Sequence, residues 1–216
     1  MFICGLTGGI AAGKSTVSLR LAERGAAVID ADQLSREVVD VGTPGFEAVV
    51  ERFGTGVVSP SGGLDRKALG ALVFGDSAAR LDLESIIHPA VRALSAQRMA
   101  EAVRDDPRRV VVYDVPLLVE SRGAGEFDVI VVVHASREQR LRRLIELRGM
   151  SRTEAERRLD AQASDEERLE AADIVVDATG SLEDTKRRAD DLHERLRSLS
   201  ARKADAPEAP SVGGPS

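Results

Sequence analysis

Cysteine is nearly absent: Cys4 is the only one in 216 residues. That excludes an intramolecular disulfide and an all-cysteine zinc site, and it suits a reducing compartment. The three histidines, at 88, 134 and 193, are too scattered along the chain to suggest a structural metal cluster. Tryptophan and asparagine are missing and aromatics are 3% of the residues, which argues against the base-stacking platforms of single-strand binders. There is no basic excess either. Thirty basic side chains face 36 acidic ones, for a formal net charge of −6, so a protein built mainly to grip nucleic acid is not expected. Charged residues interrupt every apolar run before it nears the ~20 residues of a membrane span. The apolar start has no basic leader and runs into Gly13-Lys14-Ser15, unlike a signal peptide. The expectation is a soluble, cytoplasmic protein with no nucleic-acid, membrane or obligate protein partner.

What is present reads as globular: 43% apolar and 31% charged residues. Short apolar runs at Phe2–Leu6, Ala27–Ile29, Val110–Tyr113, Val129–Val133 and Ile174–Val176 alternate with longer helical stretches. Their apolar residues are consecutive, as in strands buried on both faces of a parallel sheet. The pattern predicts an α/β fold, a five-stranded parallel sheet flanked by helices. Helices are predicted over 14–24 and 137–148, and over 77–104 with an interruption at Pro89. Far more chain lies between the second and third strands than a crossover needs, so a helical insertion is expected at about 33–100. Residues 200–216, rich in Ala, Pro, Gly and Ser, read as a disordered tail after a domain spanning 1–199.

One motif carries chemistry outright. Gly8-Gly9-Ile10-Ala11-Ala12-Gly13-Lys14-Ser15 fits G-x-x-x-x-G-K-[ST], and it follows a predicted strand and opens a predicted helix. Glycines let backbone N–H groups wrap a phosphate, Lys14 bridges β- and γ-phosphates, and the Ser15 hydroxyl ligates Mg²⁺. Binding of a nucleoside triphosphate follows, with contacts from Gly8 through Thr16. A guanine reader of the Asn-Lys-x-Asp kind is missing. A substrate-sized insertion and an arginine-rich segment after the fourth strand point to a small-molecule kinase, in which the arginines close over the phosphates. The rival reading is a nucleotide-dependent switch that hydrolyses ATP slowly.

Two acidic residues stand at strand ends. Asp32, just past the second strand, sits at the carboxyl edge of the sheet, where α/β proteins bind ligands; it can accept a hydroxyl proton or cap the following helix. Asp114 closes the third strand, where a carboxylate can orient Mg²⁺ or simply end the strand before Pro116.

A longer series of motifs runs from Gly5-Leu6-Thr7-Gly8-Gly9-Ile10 through Asp30-Ala31-Asp32 with Arg36, Pro44-Gly45, His88-Pro89-x-Val91 and Asp114-Val115-Pro116-Leu117-Leu118-x-Glu120. It continues through Arg140, Arg148, Gln162 and Ala172-Asp173-Ile174-Val175-Val176-Asp177. In this order and spacing the chain resembles the dephospho-coenzyme A kinase family. The resemblance implies a P-loop NTPase fold and transfer of the ATP γ-phosphoryl group to the ribose 3′-hydroxyl of dephospho-coenzyme A. It implies Lys14, Asp32 as general base and Arg140 at the reacting centre, and Arg148 on the ATP. It further implies an acceptor site of Thr7, Asp32, His88, Asp114 and Leu117, Mg²⁺ at Ser15 and Asp114, and a lid at about 149–170. His88 also reads as an ordinary capping or packing residue. The remaining arginines near Arg140 read as a solvated helix face among glutamates. Two departures stand out: Ala11-Ala12 replaces the family's usual Gly-Ser, and Ala178 replaces an asparagine, leaving backbone contacts to adenine there.

Overall fold

The computed structural model describes residues 1–116, 118–119 and 127–206. Strands β1 (Ile3–Gly8), β2 (Ala27–Asp30), β3 (Val111–Asp114), β4 (Val129–His134) and β5 (Ile174–Asp177) form one parallel sheet in the order β2-β3-β1-β4-β5. Consecutive apolar residues serve opposite faces, as the sequence pattern requires. Val110 and Val112 join Cys4, Leu6, Val131 and Val133 in the core beneath α1 (Lys14–Glu23) and α9 (Leu182–Asp205), while Val111 joins Ile29, Leu34 and Met99 on the other face. β1 is central, and its neighbours β3 and β4 lead away in opposite directions. Its carboxyl end is therefore the switch point at which sheets of this kind bind ligands.

Between β2 and β3 stand α2 (Ala31–Glu37), α3 (Pro44–Phe53), α4 (Arg66–Phe74) and α5 (Ser77–Ala102). The predicted break at Pro89 does not occur, because α5 runs unbroken through it. Leu83, Ile86 and Ile87 before the proline and Ala90, Val91 and Leu94 after it pack into one cluster with Val49, Val57 and Leu69. Even at about 1 kcal/mol for each partly buried side chain, this packing exceeds the ~3 kcal/mol an interior proline costs. After β4 come α6 (Arg137–Arg148), α7 (Arg152–Asp160) and α8 (Asp165–Glu170). The boundary placed at 200 needs correction too, since α9 continues through Asp205. Its apolar stripe, Leu192, Leu196 and the half-buried Leu199, keeps the helix on the core, so the alanines that follow extend it. Residues 207–216 lie outside the described residues.

Candidate active site

The loop between β1 and α1 is built to receive an anion. Gly13, the residue before α1, sits at φ 108°, offers no side-chain cap, and no acidic residue follows in the first turn. Among the described residues no side chain caps the first N–H groups of α1, which stand at the positive end of the helix dipole. Gly9 lets the loop lie against a guanidinium: a Cβ there would come within 2.4 Å of Arg140 Nη1. Ala11 takes φ 60°, the only positive φ of a non-glycine among the described residues. That conformation costs an alanine about 1 kcal/mol that glycine escapes.

A cavity of about 750 Å³ opens over this loop, lined by every residue from Gly8 to Thr16 and by Asp32 and Arg148. Pro116, Arg143, Leu147, Gln162, Leu182 and Thr185 complete its wall. The sheet order gives it two ends. Asp32 comes from the β2 side; Arg143, Leu147 and Arg148 of α6 and Leu182 and Thr185 of α9 come from the β4–β5 side.

At the first end the two acidic candidates separate. Asp30 caps α2, its Oδ1 accepting from the backbone N–H groups of Asp32 (2.8 Å) and Gln33 (3.1 Å). The cap considered for Asp32 therefore belongs to Asp30, and the Asp32 carboxylate stays exposed to the cavity. Asp114 is buried beside Leu6 and Asp30 in the sheet register and accepts from Lys14 Nζ. Burial pushes its carboxyl above the usual range, while the Lys14 ammonium pulls the other way. Neither Asp114 nor Thr7 lines the cavity; the Thr7 hydroxyl donates to the Pro116 carbonyl at 3.2 Å. His88 is exposed on α5 and also stands outside the lining. Leu117 falls outside the described residues.

The arginines behave differently from one another. Arg140 is buried behind Gly9 instead of lining the cavity, its Nε donating to the Ala135 carbonyl (3.1 Å) and its Nη2 to Asp165 (2.5 Å). Burial lowers its proton affinity, against the pull of Asp165. Arg168, also buried, donates to the same Asp165 oxygen at 2.8 Å. Arg148 is exposed at the cavity wall. Arg143 departs most from the solvated face expected of it: its Nη1 donates to the Ala11 (3.1 Å) and Ala12 (3.0 Å) carbonyls and its Nη2 to the Ala178 carbonyl (2.7 Å). Helical spacing gives no signal for this, since Arg143 stands between the exposed Arg142 and the buried Leu144. Gln162 Oε1 accepts from the Ile10 N–H at 2.8 Å, fastening the chain after α7 to the phosphate loop.

A model of the family described as Dephospho-CoA kinase matches residues 2–184. The chain belongs to the dephospho-CoA kinase family, and it is a kinase. It is 55% identical, over 91% of its length, to the whole of the dephospho-CoA kinase of Leifsonia xyli subsp. xyli. Against that of Frankia casuarinae it is 51% identical over 95% of this chain and 88% of the relative. The crystal structure of TT1252 from Thermus thermophilus superposes with a TM-score of 0.71 at 34% identity, covering 95% of this chain and 98% of that one. Dephospho-CoA kinase from Campylobacter jejuni does so with a TM-score of 0.62 at 26% identity, covering 90% and 96%. The cavity over the phosphate loop thus presents the exposed Asp32 at one end and Arg143 and Arg148 at the other. Among the described residues no helix is long and apolar enough to cross a membrane.

Proposed function

We propose that this chain carries out its family's reaction, ATP-dependent phosphorylation of dephospho-coenzyme A on the ribose 3′-hydroxyl, the last step of coenzyme A synthesis, in the cavity over the phosphate loop. The observation that carries the assignment of roles is the division of labour between Asp30 and Asp32. With the α2 cap supplied by Asp30, the exposed Asp32 shares the lining of one cavity with the N-terminal residues of α1. The acceptor oxygen attacks the γ-phosphorus, Asp32 takes the hydroxyl proton, and the bond to the β-phosphate oxygen breaks to release ADP. Because such transition states are loose, positioning and charge neutralisation dominate. The α1 N–H groups and Lys14 meet the developing charge. The nucleotide base lies toward Leu147, Leu182 and Thr185, and the helices between β2 and β3 hold the acceptor. The segment 149–170 acts as a lid that excludes water, with Gln162 on the loop and Arg148 on the ATP.

Magnesium fits the donors present. A phosphate-bound Mg²⁺ keeps several waters and asks only one or two oxygens of the protein. Ser15, on the first turn of α1 and in the cavity lining, would supply one; Asp114, buried against Lys14 outside that lining, would act on the ion only through its waters, and the ion would neutralise phosphate charge. Among the described residues no trio of His, Cys, Asp or Glu could hold a metal alone, which suits a cation that arrives with its nucleotide. The soluble composition fits a cytoplasmic enzyme.

The deciding experiment measures ADP release from Mg·ATP with and without dephospho-coenzyme A, adenosine serving as control acceptor and mass spectrometry locating the new phosphate. Acceptor-dependent release with phosphate on the ribose 3′-oxygen is expected. Hydrolysis indifferent to the acceptor would overturn the assignment.

A further inference from the structure

The geometry points to Arg143 as a positioning residue: it holds the phosphate loop in a backbone conformation that Ala11 by itself disfavours, and ties that loop to the β5–α9 connection. The inference rests on the nucleotide-binding part of the reading above and not on the identity of the acceptor.

The Ala11 φ of 60° lies in the left-handed region, which crowds an L side chain and leaves glycine untouched. Strain of this kind persists only where the surroundings enforce it. One side of the loop is held by Gln162, which accepts from the Ile10 N–H. The other side is held by one guanidinium, whose Nη1 donates to both the Ala11 and Ala12 carbonyls. The planar fork then reaches the Ala178 carbonyl with Nη2. Ala178 is a firm anchor: it is fully buried, its N–H donates to the His134 carbonyl at 2.7 Å, and its Cβ lies 3.4 Å from where a Gly13 side chain would begin. Arg143 is itself fixed on α6 by its neighbour Leu144, which is completely buried.

The chemistry of the partners matters as much as their position. Every hydrogen bond recorded for Arg143 goes to a carbonyl, and no carboxylate pairs with it among the described residues, whereas Arg140 and Arg168 share Asp165. Its positive charge is uncompensated at the wall of the cavity. A guanidinium spans three carbonyls in one plane in a way that an ammonium cannot. Arg143 thus orders the loop before nucleotide arrives and leaves its charge available to the phosphates.

The test is a cycle of four proteins: the parent, Arg143→Met, Ala11→Gly and the double variant. Affinity for Mg·ATP is measured without any acceptor, so that a wrong acceptor assignment leaves the readout intact. In the parent background Arg143→Met weakens ATP about tenfold or more. In the Ala11→Gly background the same substitution costs at least about fivefold less, because glycine adopts the left-handed conformation unaided. Equal losses in the two backgrounds would overturn the proposal and leave Arg143 a simple phosphate contact; no loss in either would overturn it as well. Should Arg143→Met fail to fold, Arg143→Lys replaces it in both backgrounds. The lysine keeps the charge and loses the fork, so its loss of ATP affinity is again expected to shrink when residue 11 is glycine. Failure of the parent to bind Mg·ATP at all would instead refute the nucleotide-site reading.

Discussion

Lys14 at the start of α1 donates its ammonium to the carboxylate of Asp114 at the end of β3. The two side chains are 18% and 6% exposed, so the pair is largely withdrawn from water and joins the phosphate loop to the neighbouring strand. In this arrangement a carboxylate outside the cavity lining holds the lysine at the cavity edge. Removing the cation leaves Asp114 buried without its counterion, a loss of about 2–3 kcal/mol for a pair of this burial. Lys14→Ala is therefore expected to lower the melting temperature by several degrees and to reduce kcat by at least ~10²-fold. The KM for the acceptor should change far less; an equal loss in kcat and acceptor affinity would argue against a transition-state role for Lys14.

Asp30 and Asp32 are separated by one residue and are expected to fail in different ways. Asp30→Ala removes the α2 cap and costs about 1 kcal/mol of stability. Asp32→Asn touches no cap and lies on an exposed surface, so stability should hold within about 0.5 kcal/mol while turnover falls ~10²- to 10⁴-fold. Thermal melts and steady-state rates on the two variants separate the roles. Native turnover by Asp32→Asn with both ligands bound would remove it as the general base.

Much of this architecture is legible in the residues themselves, for identifiable reasons. The five strands show because a sheet buried on both faces needs unbroken apolar runs, and the phosphate loop shows because its glycines and Lys14 have no cheaper explanation at that spacing. Pro89 misleads because local backbone preference points to a break, while the apolar cluster on both sides of it holds α5 together. Asp32 could not be told from Asp30 as the α2 cap, since both are good capping residues two positions apart. Arg143 was hidden among arginines interleaved with glutamates, where only its carbonyl partners, distant in sequence, distinguish it.

Asp165 is the common acceptor for the buried guanidinium groups of Arg140 and Arg168, which crowd the place where a Gly9 side chain would begin. Burial pushes the Asp165 carboxyl up, but the hydrogen bond from Arg168 and the charge of Arg140 outweigh it and hold the carboxyl below its usual range. Asp165→Ala leaves those guanidiniums without their shared carboxylate, for a loss of about 2–3 kcal/mol. Its effect should also reach the phosphate loop as a raised KM for ATP, which Asp165→Glu would partly restore. A stability loss with unchanged ATP kinetics would confine Asp165 to a structural role.

Acid should act on the turn between β5 and α9. Asp177 Oδ1 accepts from the Thr179 hydroxyl at 2.6 Å and the Thr179 N–H at 2.9 Å, and its other oxygen pairs with Arg188 at 2.5 Å. The Thr179 hydroxyl first, then its N–H and Arg188, hold the carboxyl down to about 2 despite partial burial. A carboxyl depressed in the folded state stabilises the fold above its unfolded value, near 3.9, and that contribution fades as pH falls toward about 2. The parent should therefore melt higher than Asp177→Asn at pH 6, with the gap closing between about pH 4 and pH 2. A gap that persisted at pH 2 would mean that the charge of Asp177 contributes nothing to stability. Because Ala178, the carbonyl gripped by Arg143, follows directly on Asp177, the Asp177→Asn variant should also bind Mg·ATP more weakly at pH 6, which equilibrium binding measures directly.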